Sequence, residues 1–327
     1  MPLTTRLTAR LSIEHPVVLA PMESVSGGLL ASTVSRAGGL GLVAGGYGDY
    51  DWLAREFALA GDARVGCGFI CWALAEDPSP LHRALERLRP AAVMLSFGDP
   101  TPYAGAVRGS GAVLLVQVQT VADAERAIEA GADVIIAQGI EAGGHGSNNR
   151  STVALVPVIA DLVRDRSPNI PVVASGGIAD GRGLAAALAL GADGVLMGTR
   201  FWATAQALVP PQAHARMVEA TGEHTVRSTV EDVVRGHDWP APFTSRLFRN
   251  RFTDRWHGSE AELDDNLDAV RAGYRQALDQ RDFDVATISG SQSAGLIRSV
   301  EPADTVLAAV VAEAEAAIAR LGLLVTG

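Results

Sequence analysis

The chain has 327 residues, 48% of them hydrophobic and 20% charged, and a formal net charge of -10. That is enough apolar material for one large core, and the acidic balance argues against nucleic acid and anionic membrane surfaces as partners. No lysine occurs, which excludes Schiff-base aldolases, pyridoxal phosphate enzymes and the phosphate loop that needs Gly-Lys-Ser/Thr.

No N-terminal stretch has the apolar length of a signal peptide or membrane span, so the expected location is cytoplasmic. From residue 16 to about 200, short apolar runs alternate with helix-like segments. Strands are expected at 17–20, 41–44, 65–70, 92–96, 113–118, 133–137, 172–174 and 194–197. They are rich in Val, Leu and Ile, as parallel strands covered on both faces should be. Amphipathic segments at 29–37, 80–88, 121–130, 153–164 and 183–190 lie between them.

Glycine stands just past several helices, as in Ala37-Gly38-Gly39, Ala130-Gly131-Ala132-Asp133 and Leu190-Gly191-Ala192-Asp193. The last two are near copies, the mark of a repeated unit. Eight strand–helix alternations predict a closed α/β fold, the (β/α)8 TIM barrel, over an open doubly wound sheet. The rhythm breaks after Trp202. Residues 205–285 show no clear strand pattern and are expected to form a mostly helical insertion, or lid, over the barrel mouth. The barrel then comprises 1–204 and 286–327, with a last helix over 304–321. Cys67 and Cys71 read as small buried thiols; no further ligands of suitable spacing accompany them, so no metal is expected.

Phosphate often sits after the seventh and eighth strands of such barrels. Here those strands lead into Ser175-Gly176-Gly177 and Gly198-Thr199. Either turn alone could be no more than a tight connection. Paired at the two expected places, their free backbone N–H groups and the Thr199 hydroxyl suit an anion. A flavin, a sugar phosphate or a nucleotide would all satisfy this pattern.

The sixth strand leads into Gln138-Gly139-Ile140-Glu141-Ala142-Gly143-Gly144-His145-Gly146. His145, in a side-chain-poor loop on the face where barrel enzymes work, is the candidate base. Glu141 could orient His145 or cap the loop or the next helix. The first strand ends in Ala20-Pro21-Met22, where Met22 offers an adaptable apolar contact to a flat ring. Gln117 and Gln138 can bond the edge of a heterocycle. Tyr47, Trp72 and Phe97 place aromatic side chains around the mouth for a substrate. His214, His224, His237 and His257 are scattered, without ligand spacing, and read as surface or interface residues. The stretch with Arg246, Arg249, Arg251 and Arg255 reads either as a solvated helix face or as a lid that holds an anionic substrate.

Ala20-Pro21-Met22, Ser35-Arg36-Ala37-Gly38-Gly39-Leu40-Gly41, the 138–145 loop, Ala174-Ser175-Gly176-Gly177-Ile178 and Met197-Gly198-Thr199-Arg200-Phe201 together resemble the nitronate monooxygenase family, over nearly the whole chain. The resemblance implies an FMN-dependent oxidoreductase that oxidises alkyl nitronates, and in some members neutral nitroalkanes, with O2. It implies His145 as catalytic base. It also implies an FMN site built from Ala20, Pro21, Met22, Gln117, Gln138, Gly144, Ser175, Gly176, Gly177, Gly198, Thr199 and Gln292. A homodimer is one assembly open to it. Two departures bear on substrate choice: Ser96-Phe97-Gly98-Asp99 lacks the histidine some members carry there, and Cys71 stands where many have asparagine. The alternative is an FMN-dependent enoyl-thioester reductase using NAD(P)H, a related family that shares the Glu-Ala-Gly-Gly-His loop. A flavin-free binding protein on the same scaffold is a third expectation, of a different class.

Overall fold

A computed structural model describes residues 3–325. Eight parallel strands form the barrel: β1 (Val17–Leu19), β2 (Leu42–Gly46), β3 (Gly66–Ile70), β4 (Ala92–Ser96), β5 (Val113–Val118), β6 (Val134–Gln138), β8 (Val172–Ser175) and β9 (Gly194–Met197). β7 (Gly144–Gly146) lies outside this set, in the histidine loop. Neighbours run in the order β1-β9-β8-β6-β5-β4-β3-β2. A parallel bridge between Val18 and Leu40 joins the two ends of the sheet, with Leu19 N donating to Leu40 O at 2.9 Å and Leu40 N to Val17 O at 3.1 Å. The predicted TIM barrel is therefore the observed fold.

Strand alternation sorts the apolar residues into two cores. Val18, Leu42, Met94, Leu115, Ile136, Val173 and Leu196 fill the barrel interior. Val17, Leu19, Val43, Val93, Leu95, Val116 and Ile135 pack outward against the helices. A helix the periodicity did not announce, Arg6–Leu11, closes the bottom by adding Leu7 and Leu11 to the interior core. Its start is fixed by a capping box between Thr5 and Thr8.

The two near-copy turns do the same job twice. Asp133 Oδ2 accepts from Leu114 N at 2.8 Å, and Asp193 Oδ2 from Val172 N at 2.9 Å. Arg10 pairs with Asp133 and Arg6 with Asp193, so the bottom helix is tied to both turns. Gly131 (φ 80°) and Gly191 (φ 95°) adopt the left-handed conformation that ends each preceding helix.

The segment 205–285 is mostly helical, and it also holds two strands that its sequence pattern did not show. It contains β10 (Thr225–Ser228) and β11 (Thr244–Phe248) besides its helices. With β7 they form an antiparallel sheet in the order β10-β11-β7. These strands escaped notice because they are four and five residues long and rich in Thr, Ser and Arg instead of Val and Ile. The last helix, Ala303–Gly322, packs on the barrel as expected.

Candidate active site

At the C-terminal ends of the strands lies a cavity of about 380 Å³, within the range of small-molecule sites. One end is bounded by the late glycine turns. Gly176 (φ 103°) and Gly177 (φ 72°) are both left-handed. A Cβ at Gly176 would stand 2.9 Å from Gly139 O, and one at Gly177 3.0 Å from Glu141 Cβ, so both conformation and space demand glycine. Thr152 Oγ1 donates to Gly176 O at 2.9 Å and holds the turn. Gly198 and Thr199 complete this wall.

The histidine loop forms an adjoining part of the wall. Glu141 does not orient His145: both its carboxylate oxygens accept from Thr152 N, at 3.1 and 2.9 Å, and cap the helix Thr152–Arg166. The loop carbonyls are held by two arginines, Arg246 buried and Arg227 half-buried. Arg227 Nη2 donates to Ile140 O (3.1 Å) and Ala142 O (3.3 Å), and its Nη1 to Gly146 O (3.2 Å). Arg246 Nη2 donates to Ile140 O at 2.8 Å. Burial, and then the neighbouring Arg246, push the Arg227 guanidinium down to about 10. Gln138 joins this loop to the barrel: its Nε2 donates to His145 O at 3.1 Å, while its Oε1 accepts from Gln117 (3.2 Å) and Gln119 (2.9 Å).

His145 pairs with Ser245 across β7 and β11. Its Nε2 lies 2.8 Å from Asp232 Oδ1 on the helix Val230–Arg235. Trp239 stacks on the imidazole with centroids 3.5 Å apart, and Phe97 meets its edge at 6.5 Å. Trp239 Nε1 donates to Tyr47 OH at 2.8 Å. Burial, reinforced by Glu23, holds the Tyr47 phenol above its ordinary range, so it stays a neutral hydrogen-bonding group. A glycine-walled pocket with a carboxylate-held histidine in its lining is an arrangement for chemistry on a bound organic ligand.

A family model described as nitronate monooxygenase matches residues 4–62 and 77–313. The chain belongs to the nitronate monooxygenase family. It is similar to a nitronate monooxygenase of Neurospora crassa, 32% identical over 94% of this chain and 91% of that one. Among solved structures it resembles FabK from Thermotoga maritima, with TM-score 0.85 and 31% identity over 98% of this chain and 99% of that one. It also resembles nitroalkane oxidase from Streptomyces ansochromogenes, with TM-score 0.79 and 27% identity over 97% and 100%. The chain is an enzyme of the oxidoreductase class. The interruption at 63–76 in the family match contains Cys67, Cys71 and Trp72.

The fold brings most of the expected residues to the one cavity. Ala20, Pro21 and Met22 line it at the end of β1, Gln117 and Gln138 at β5 and β6, and Gly144 and His145 in the loop. Ser175, Gly176, Gly177, Gly198 and Thr199 form the glycine wall, with Tyr47 and Phe97 at the mouth. Trp72 is set back from the wall and packs edge-on against Tyr47 (5.7 Å) and Trp239 (5.3 Å). Gln292 is exposed and off the wall; its neighbour Ser291 lines the cavity instead.

Several site residues were not foreseen. Asp232 and Trp239 come from the insertion, with no motif linking them to a histidine about ninety positions earlier. His237, read as a surface or interface residue, stacks on Tyr47 at 4.3 Å. The basic stretch is not a lid over the substrate. Arg246 is buried under the histidine loop, while Arg249, Arg251 and Arg255 pair on the surface with Asp254, Asp282 and Glu262. The arginine on the cavity wall is Arg235, its Nη1 3.6 Å from Glu231 Oε1. Among the described residues, no group of three His, Cys, Asp or Glu is placed to hold a metal ion, and no helix is long and apolar enough to cross a membrane.

Proposed function

We propose that this enzyme binds FMN in the cavity and oxidises alkyl nitronates with O2, His145 acting as catalytic base where the substrate is a neutral nitroalkane. The observation that supports this most is a single cavity lined both by the two late glycine turns and by His145. The residues suit the group. Gly176, Gly177, Gly198 and Thr199 would hold the phosphate; Ala20, Pro21 and Met22 would pack against the ring; and Gln117 and Gln138 would bond its edge. When bound, the flavin supplies an electron acceptor that O2 reoxidises.

The chain's own residues do the rest. Tyr47 and Phe97 enclose the substrate and exclude water. Toward a nitroalkane, His145 takes the proton from carbon. Toward a nitronate, which has already lost that proton, Arg235 on the cavity wall holds the anion. The nitronate and O2 are the small-molecule partners of this reading; a homodimer is compatible with it.

A second reading, reduction of enoyl thioesters by NAD(P)H, is favoured by the Glu141-Ala142-Gly143-Gly144-His145 loop, which that enzyme class shares. Anaerobic stopped-flow mixing separates the two. The proposal expects nitronate to bleach the flavin rapidly and NADH or NADPH slowly; the reverse order overturns it. A protein that remains colourless with added FMN would support a flavin-free role instead.

A further inference from the structure

We propose that Asp232 is a positioning residue for proton transfer, holding His145 by Nε2 so that Nδ1 is the nitrogen that meets the substrate. This rests on the reading of His145 as base.

The geometry carries the assignment. Asp232 Oδ1 stands 2.8 Å from His145 Nε2, and a carboxylate can only accept. Nε2 therefore carries the ring proton, and the lone pair of the neutral imidazole is on Nδ1. The Asp232 side chain is 4% exposed. Its backbone is fixed as well, since its carbonyl accepts from Gly236 N (2.8 Å) and His237 N (2.9 Å).

The second carboxylate oxygen argues for function over stability. Asp232 Oδ2 is buried and has no hydrogen-bond partner. A carboxylate kept for the fold has its oxygens paired, because an unpaired buried one costs stability. Asp232 does not line the cavity, so it acts through His145. When a nitroalkane reacts, the C–H bond breaks, its electron pair stays on the nitronate, and an N–H bond forms at Nδ1. The positive charge on the imidazolium then develops beside Asp232, shielded from water, where the carboxylate stabilises it most. A preformed nitronate transfers no proton and makes no such demand.

The test compares nitroethane with preformed ethyl nitronate on the FMN-loaded enzyme. Asp232→Asn, which keeps shape and removes charge, is expected to lower kcat for nitroethane about tenfold to a hundredfold. For ethyl nitronate the expected change is under about threefold, with KM for both nearly constant. Equal losses on both substrates would mean a structural role and overturn the proposal. Nitrogen-15 NMR gives a readout independent of turnover. Wild type should show a downfield, slowly exchanging proton on His145 Nε2 and a lone pair on Nδ1, and Asp232→Leu should lose that protected proton. A wild-type proton on Nδ1, or one at Nε2 unaffected by Asp232→Leu, sinks the assignment. If wild type oxidises neither substrate, the proposed function fails while the NMR result still decides the role of Asp232.

Discussion

The indole of Trp239 lies flat on the imidazole of His145, with centroids 3.5 Å apart and planes 6° from parallel. The indole is itself tethered, through Nε1, to Tyr47. One face of the base is thereby closed to water, and a cation formed on it meets the electron-rich face of the ring. Trp239→Ala is expected to lower kcat/KM for a neutral nitroalkane about tenfold, the equivalent of ~1.4 kcal/mol. Trp239→Phe keeps a stacking face and loses only the tether, so it should stay within about threefold of wild type. Steady-state oxygen uptake measures both; identical losses in the two variants would show that the tether, not the stack, matters.

The glycine wall makes a prediction about cofactor affinity. Gly177 is left-handed at φ 72°, and a Cβ there would press on Glu141 Cβ at 3.0 Å. Gly177→Ala should strain the turn by about 1–2 kcal/mol and weaken FMN binding about tenfold. Flavin fluorescence titration reads this directly, with circular dichroism confirming that the barrel is intact.

Glu141 gives a stability prediction separate from catalysis. It caps the helix Thr152–Arg166, whose N-cap Ser151 makes no side-chain cap bond. Glu141→Ala should cost about 1–2 kcal/mol in urea unfolding, with Glu141→Gln recovering part of it through its remaining acceptor. An unchanged midpoint in Glu141→Ala would show that the cap contributes nothing.

Cys71 predicts an alkaline limit. Burial, and then Asp99, push its thiol from 9.0 up to about 12. Between those values the unfolded chain loses a proton that the native protein keeps. Native stability from this group is thus complete below about pH 9 and falls as pH rises toward 12. Cys71→Ala should flatten the decline of the urea midpoint above pH 9, and native enzyme should resist thiol reagents at pH 8 until it is unfolded.

The arginines make a paired prediction. Arg251 is 70% exposed and paired with Asp282, away from the cavity. Arg251→Ala should leave KM for nitronates unchanged. Arg235→Met removes the guanidinium on the cavity wall and should raise that KM several-fold, about 1 kcal/mol of lost anion binding.

The barrel was legible because its signals are local. Ala92–Ser96, Val113–Val118 and Gly194–Met197 coincide with their predicted bounds, and the others differ by a residue or two. The repeated Gly-Ala-Asp turns gave the period. The glycine wall and His145 were legible for a related reason: in this fold each follows its own strand, so position along the chain predicts position in space. Trp72 was placed by the same logic and fell just off the cavity, because a residue's place after a strand does not set the direction of its side chain; Gln292, implied by the resemblance alone, is exposed beside Ser291, which lines the cavity.

Composition, strand period and glycine spacing were thus sufficient to determine a parallel barrel with a ligand pocket at its C-terminal face. What stands over that pocket was decided only by tertiary structure. β10 and β11 have no apolar alternation of their own, and they exist as strands because Arg227 and Arg246 satisfy the carbonyls of the histidine loop. That docking carries the helix of Asp232 and the ring of Trp239 onto His145. A hydrogen bond and a stacked pair depend on distance in space, and distance along the chain holds no trace of either.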